Sequence, residues 1–98
     1  MIESFKDTWL HEFYVQAKNH KKIPAQLSER LFRKLQLIDY ATSDNDLRSP
    51  PSNHFEKLKG NLAKYCSIRI NDKWRLIFIW DAKLGKASEI YLDDHSYR

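Results

Sequence analysis

Ninety-eight residues leave room for one domain and no second core. A hydrophobic content of 42% with three tryptophans supports a globular interior and argues against a disordered chain. Seventeen Lys and Arg against thirteen Asp and Glu leave +4, an excess that favours a polyanionic partner without demanding one. The one cysteine, Cys66, excludes an intrachain disulfide framework and, lying inside a strand pattern, reads as a small buried hydrophobe rather than a nucleophile. No apolar run approaches the roughly 18 residues needed to span a bilayer. Lys6, Asp7 and His11 interrupt any signal-peptide core. A cytoplasmic protein that does not engage a membrane is expected.

In chain order, Ile2 to Phe5 is a short apolar-edged segment suited to an edge strand. Asp7 or Thr8 can cap a helix whose buried stripe is Trp9, Leu10, Phe13, Tyr14 and Ala17. Asn19-His20-Lys21-Lys22 breaks that pattern, and Pro24 suits the first turn of a second helix. Leu27, Leu31, Leu35 and Ile38 recur at helical spacing to an end near Ala41, leaving Glu29, Arg30, Arg33 and Lys34 in water. Thr42 to Asn53, rich in Ser, Asp, Asn and Pro, reads as a loop. Strand signals dominate from Phe55 onward, with Gly60 and Gly85 at expected turns.

The register of the central hairpin follows from its side chains. A three-residue loop at Asn71, Asp72 and Lys73 pairs Ile70 with Trp74, Ile68 with Leu76 and Cys66 with Phe78, giving one apolar face toward the helices. The same register sets Arg69 against Arg75 on the other face, where like charges repel unless an anion lies between them. A carboxylate such as Asp93, or a phosphate, would serve. Ile77 and Ile79 share that face, so something must cover it. In the last segment, Ser88, Ile90 and Leu92 are expected on one side and Glu89, Tyr91, Asp93 and then His95 on the other.

This set of groups suits cutting a phosphodiester. RNA carries its own nucleophile, the 2′-hydroxyl. A base removes its proton, cations stabilise the charge gathering on the phosphoryl oxygens, and an acid protonates the leaving 5′-oxygen. An unperturbed imidazole changes charge near neutrality, so His95 can be base or acid. Asp93 or Asp94 could orient its ring, and Glu56 could serve as base. Arg75 offers a bidentate fork for phosphate, with Lys57 and Lys59 as point charges. Each member also has a plain structural reading: Lys57 and Lys59 as a wetted strand face, Arg69 and Arg75 as partners of Asp93 and Glu89, Trp74 and Trp80 as core. His11, His20 and His54 have no ligand spacing, so no metal site is expected.

Leu47-Arg48-Ser49-Pro50-Pro51-Ser52-Asn53, Leu58-Lys59-Gly60 and the run from Tyr65 to Arg75 resemble the HigB toxins, also called plasmid maintenance killer proteins, of the RelE/ParE superfamily. Met1 to Phe5 looks like the family start, and Ile90 to His95 like its closing acidic segment. The resemblance implies an α+β, RelE-like fold: an N-terminal helical hairpin on one face of a mostly antiparallel, twisted four- to five-stranded sheet. It also implies a ribosome-dependent mRNA endonuclease without a cofactor. A HigA-type helix-turn-helix antitoxin would be its partner, and DNA would be reached only through the antitoxin complex. Lys59, Arg75, Asp93 and His95 match family positions for catalysis or phosphate contact. Glu56 stands where some members carry a histidine, and Asp94 where the family often has a stacking tyrosine, a role open to Tyr91 or Tyr97. His95, Arg75, Lys59, Asp93 and Glu56 are thus the catalytic candidates, and Lys57, Arg69, Lys73, Asp94 and Tyr91 the RNA-binding ones. Two alternatives stand beside this reading: a ParE-like toxin that binds a protein target without cutting RNA, and a homologue that keeps only antitoxin binding.

Overall fold

The computed structural model describes residues 1–94. Helix α1 spans Thr8–Gln16, α2 Ser28–Tyr40 and α3 Asp44–Arg48; strands β1 Glu56–Lys57, β2 Cys66–Arg69, β3 Arg75–Asp81 and β4 Lys86–Asp93 follow. The strands form one antiparallel sheet in the order β1-β2-β3-β4. Asp7 occupies the N-cap of α1. That helix stops one residue short of the expected stripe, because Ala17 turns into the left-handed region (φ 55°) and is exposed. Pro24 lies before a 3₁₀ turn, Ala25–Leu27, that leads into α2, and Ala41 closes α2 as expected.

Leu10 and Phe13 from α1, Leu31, Leu35 and Ile38 from α2, and Leu47 from α3 pack on Cys66, Ile68, Leu76, Phe78, Ala87 and Ile90 in one apolar cluster. All those strand residues lie on one face of the sheet, so the helices cover that face. Phe32 joins α2 to α1 through ring contacts with Phe13 and Tyr14. No helix is long and apolar enough to cross a membrane among the described residues.

Two expectations need correction. Residues 42–53 are not a plain loop: they form α3 and a 3₁₀ turn, Pro51–Asn53. The cause is buried anchoring, which the polar composition conceals. Leu47 and Asn53 are fully buried, and Asn53 Nδ2 donates to the carbonyls of Leu47 and Ser49 at 3.1 and 3.2 Å. The alternation in β4 is broken as well. The β3–β4 register shifts between Ile77 and Ile79, and Glu89 adopts φ 52°, a bulge that places Ala87 rather than Ser88 on the helix side with Ile90.

The N-terminal segment contributes two parallel bridges rather than a full strand, Ile2 with Ala87 and Phe5 with Ile90. It also seals the bulge, since Ser4 Oγ accepts from the Glu89 amide at 2.9 Å. Asp39 of α2 fixes the segment, accepting from the Ile2 amide at 2.8 Å and the Tyr14 hydroxyl at 2.7 Å.

The central hairpin has the expected register, with Cys66, Ser67, Ile68 and Arg69 opposite Phe78, Ile77, Leu76 and Arg75. Asn71 builds its turn, its side-chain oxygen accepting from the amides of Lys73 and Trp74 at 2.9 and 2.8 Å. At the β3–β4 turn Gly85 takes φ 63°, with its missing Cβ position only 3.4 Å from Thr42 Cα.

Candidate nucleic-acid interface

The helix-free face of the sheet is built in rows. Arg69, Arg75 and Asp93 are directly opposed across β2, β3 and β4. Glu56, Ser67, Ile77 and Tyr91 form the next row, across all four strands. Opposed Cα atoms lie about 4.5–5.5 Å apart, and adjacent same-face rows about 7 Å. Arg75 therefore has a second guanidinium on one flank and a carboxylate on the other, with Tyr91 one row and one strand away and Glu56 one row and two strands away.

Two aromatic rings meet on the face that carries the two isoleucines. Tyr65, two residues before Ser67, has the same facing, and its ring centroid lies 6.0 Å from that of Tyr91. Tyr65 immediately precedes β2 and Tyr91 lies on β4, the two strands that flank β3 and so are about 10 Å apart. The rings must lean together over β3 to meet. Lys6 Nζ sits above the Tyr91 ring, 4.6 Å from its centroid. Ile77 and Ser67 are fully buried beneath this surface.

Arg75 is 7% exposed, and its Nη1 is buried with no hydrogen-bond partner among the described residues. Arg69 Nε and Ser67 Oγ have the same status. A guanidinium N–H left unpaired in a dry site costs about 1–3 kcal/mol or more, so this row is poised for an acceptor. A phosphate oxygen is the acceptor that a guanidinium fork fits best.

Other sequence candidates lie elsewhere. Lys57 belongs to the row Lys57–Cys66–Phe78 and so to the opposite face, where its Nζ is 3.8 Å from Asp44. Its position in the strand has the wrong parity to join Arg75. Lys73 is exposed in the hairpin turn over the Trp74 ring, 5.6 Å from its centroid. Asp94 is exposed beside Trp9, Lys22 and Trp74 in a pocket of about 410 Å³ that Asp93 also lines. Lys59 is exposed and follows Leu58, whose amide donates to the Tyr65 carbonyl at 3.0 Å. His95 and Tyr97 lie outside the described residues. The structure thus gathers Arg69, Arg75, Asp93, Glu56 and Tyr91, and adds Tyr65, Ser67 and Lys6. Counting back by twos from Arg69 would have found Ser67 and Tyr65. Nothing local marks Lys6, because it arrives through a parallel pairing with the far end of the chain.

Cys66 sits beneath this surface on the core side, its thiol 3.5 Å from the Phe78 carbonyl and pushed by burial up to about 12. It remains a thiol at neutral pH. Among the described residues, no three His, Cys, Asp or Glu side chains converge as a metal-binding group.

Comparison with known proteins identifies the relatives of this chain. The family model described as the RelE-like toxin of type II toxin–antitoxin system HigB matches residues 3–95. Toxin HigB-1 of Vibrio cholerae serotype O1 is 50% identical over 97 residues, covering 99% of this chain and all of that one. An uncharacterized protein of Haemophilus influenzae is 43% identical over 95 residues, covering 97% of this chain and 92% of that one. Two solved structures share the fold: Staphylococcus aureus YoeB in a complex with YefM and as a dimer, each with TM-score 0.53 and 24% identity. They cover 92% and 98% of this chain, matched by 94% and 98% of theirs.

Proposed function

This chain belongs to the HigB-like family, RelE-like toxins of type II toxin–antitoxin systems, and we propose that it cleaves messenger RNA on the ribosome with the Arg75 face. The observation that carries the reading is the row Arg69–Arg75–Asp93, in which a buried guanidinium presents an unpaired N–H. In the proposed reaction a base takes the proton of a 2′-hydroxyl, the 2′-oxygen bonds to the adjacent phosphorus, and the bond to the 5′-oxygen breaks as an acid protonates that oxygen. A 2′,3′-cyclic phosphate and a 5′-hydroxyl end result. Arg75 stabilises the charge on the phosphoryl oxygens, as an oxyanion-type donor that is set before the reaction. Arg69 and Lys59 contribute further positive charge. Glu56 and His95 are the acid–base candidates, Asp93 orients the nearer of them, and Tyr91 with Tyr65 offers a ring surface for a base.

The partner we propose is a HigA-type antitoxin, with DNA contacted only by the antitoxin complex; the likeness to a YoeB structure solved with YefM supports an antitoxin partner. Mapping messenger ends after induction without antitoxin tests the reading. It predicts 5′-hydroxyl ends within translated frames, and their loss with His95→Gln. Growth arrest with intact messenger and DNA-damage signalling would favour a ParE-like toxin instead, and unaffected growth a chain that keeps only antitoxin binding.

A further inference from the structure

A second positively charged site lies where α2 passes the end of β2. Arg30, Arg33 and Lys34 of α2, with Ser52, Arg69 and the hairpin turn through Asp72, line a cleft of about 500 Å³. Four cations and one carboxylate line it. Arg30 and Lys34 are one helical turn apart, where like charges destabilise a helix, and Arg33 follows three residues after Arg30. Arg33 has a partner outside the cleft, Glu29 at 2.5 Å. Lys34 is half-buried and donates to Asn53 Oδ1, and Asn53 is itself held by the backbone at Leu47 and Ser49. Burial, and then the Arg30 charge, lowers the affinity of the Lys34 amine for its proton. A cation is therefore fixed in place where its own surroundings disfavour its charge.

Arg69 connects this cleft to the helix-free face. It lines the cleft and also stands directly opposite Arg75. Strand β1 covers β2 only at Cys66 and Ser67, so the sheet edge is open at Arg69 and nothing in the sheet separates the two sites. We propose that the cleft is a second phosphate-binding subsite, which holds the phosphodiester backbone of RNA as it leaves the Arg75 face over Arg69. The proposal rests on the endonuclease reading. Those phosphates belong either to the message or to ribosomal RNA, and both present the same chemistry to the cations.

The test uses the full chain and the double variant Arg30→Gln, Lys34→Gln, which keeps two good helix formers at exposed and half-buried positions of α2. Binding of a labelled 2′-O-methyl oligoribonucleotide, which cannot be cut, is followed across a salt series, free and loaded on ribosomes. The expected result is about a tenfold loss of affinity and a log–log salt slope shallower by about 1.4, or 0.7 for each lost contact. Loss with the free strand identifies message phosphates; loss only on the ribosome identifies ribosomal RNA. Melting of the variant at or above the wild-type temperature shows that the fold is intact. Unchanged affinity and slope in both arms overturn the subsite. So does unchanged RNA binding with weakened antitoxin binding, which would make the cleft a site for an acidic peptide. If the wild type cuts messenger and Arg75→Gln does not, while the cleft variant binds normally, the subsite alone fails. If the wild type neither binds nor cuts RNA, both readings fail together.

Discussion

The thiol of Cys66 shows how burial sets chemistry at a single residue. Placed between the core and the Phe78 carbonyl, it is raised from an ordinary 9.0 to about 12, mainly by desolvation of the thiolate. The folded value lies above the unfolded one, so the folded state holds this proton more tightly. The stability it contributes is complete below pH 9 and is lost as pH climbs from 9 toward 12. Native protein should therefore resist alkylation at about pH 8, with labelling appearing only on unfolding. Thermal melts between pH 9 and 12 should fall less steeply for Cys66→Ala than for wild type. Rapid alkylation of the folded protein under those mildly basic conditions would contradict this placement. Burial acts differently on Arg75, whose enclosed Nη1 retains an unmet need for an acceptor.

Among the elements, the N-terminal segment is the part most dependent on a distant residue. Asp39 accepts from the Ile2 amide and the Tyr14 hydroxyl, and burial with the Asp39 bond and charge raises the Tyr14 hydroxyl above its ordinary value. Asp39→Ala leaves both donors without an acceptor and should cost about 1–3 kcal/mol, read from urea midpoints. Amide exchange at Glu3 and Ala87 should accelerate, because the Glu3 amide donates to the Ala87 carbonyl and the Ala87 amide to the Met1 carbonyl. Tyr14→Phe removes only one donor and should cost less. Equal stability of Asp39→Ala and wild type would show that the segment is held by its strand contacts alone.

Elements built from local pattern are legible in the sequence. The α2 stripe repeats every turn, and the hairpin register follows from keeping Arg75 out of the apolar set. Features set by distant contacts are not. Leu47 and Asn53 sit in a polar stretch that reads as loop, yet both are wholly buried. The Glu89 bulge depends on Ser4, and Lys6 reaches Tyr91 through a pairing that spans nearly the whole chain. Lys57 misleads for a simpler reason, since its neighbours in sequence suggest a basic run while strand parity sends it to the other face.

At the scale of the molecule, the sheet divides the work of the chain. One face carries the helices and nearly all the apolar burial; the other carries a charged row whose central guanidinium is dry and incompletely bonded. The edge at Arg69 links that row to the cationic α2 cleft. A fold that needed Arg75 only for stability would be expected to satisfy its donors internally. In the proposed reaction RNA satisfies them.

End-mapping of a defined message in a purified translation system, with wild type compared with Arg75→Gln and Arg75→Lys, tests that role for Arg75 most directly. Wild type should produce a 5′-hydroxyl end at the ribosomal A site. Arg75→Gln should cut about a hundredfold or more slowly while melting as a folded protein, in line with the loss of a preset oxyanion donor. Arg75→Lys should restore little, because an ammonium cannot reproduce the guanidinium fork. Cleavage by Arg75→Gln at the wild-type rate would contradict a catalytic Arg75 face.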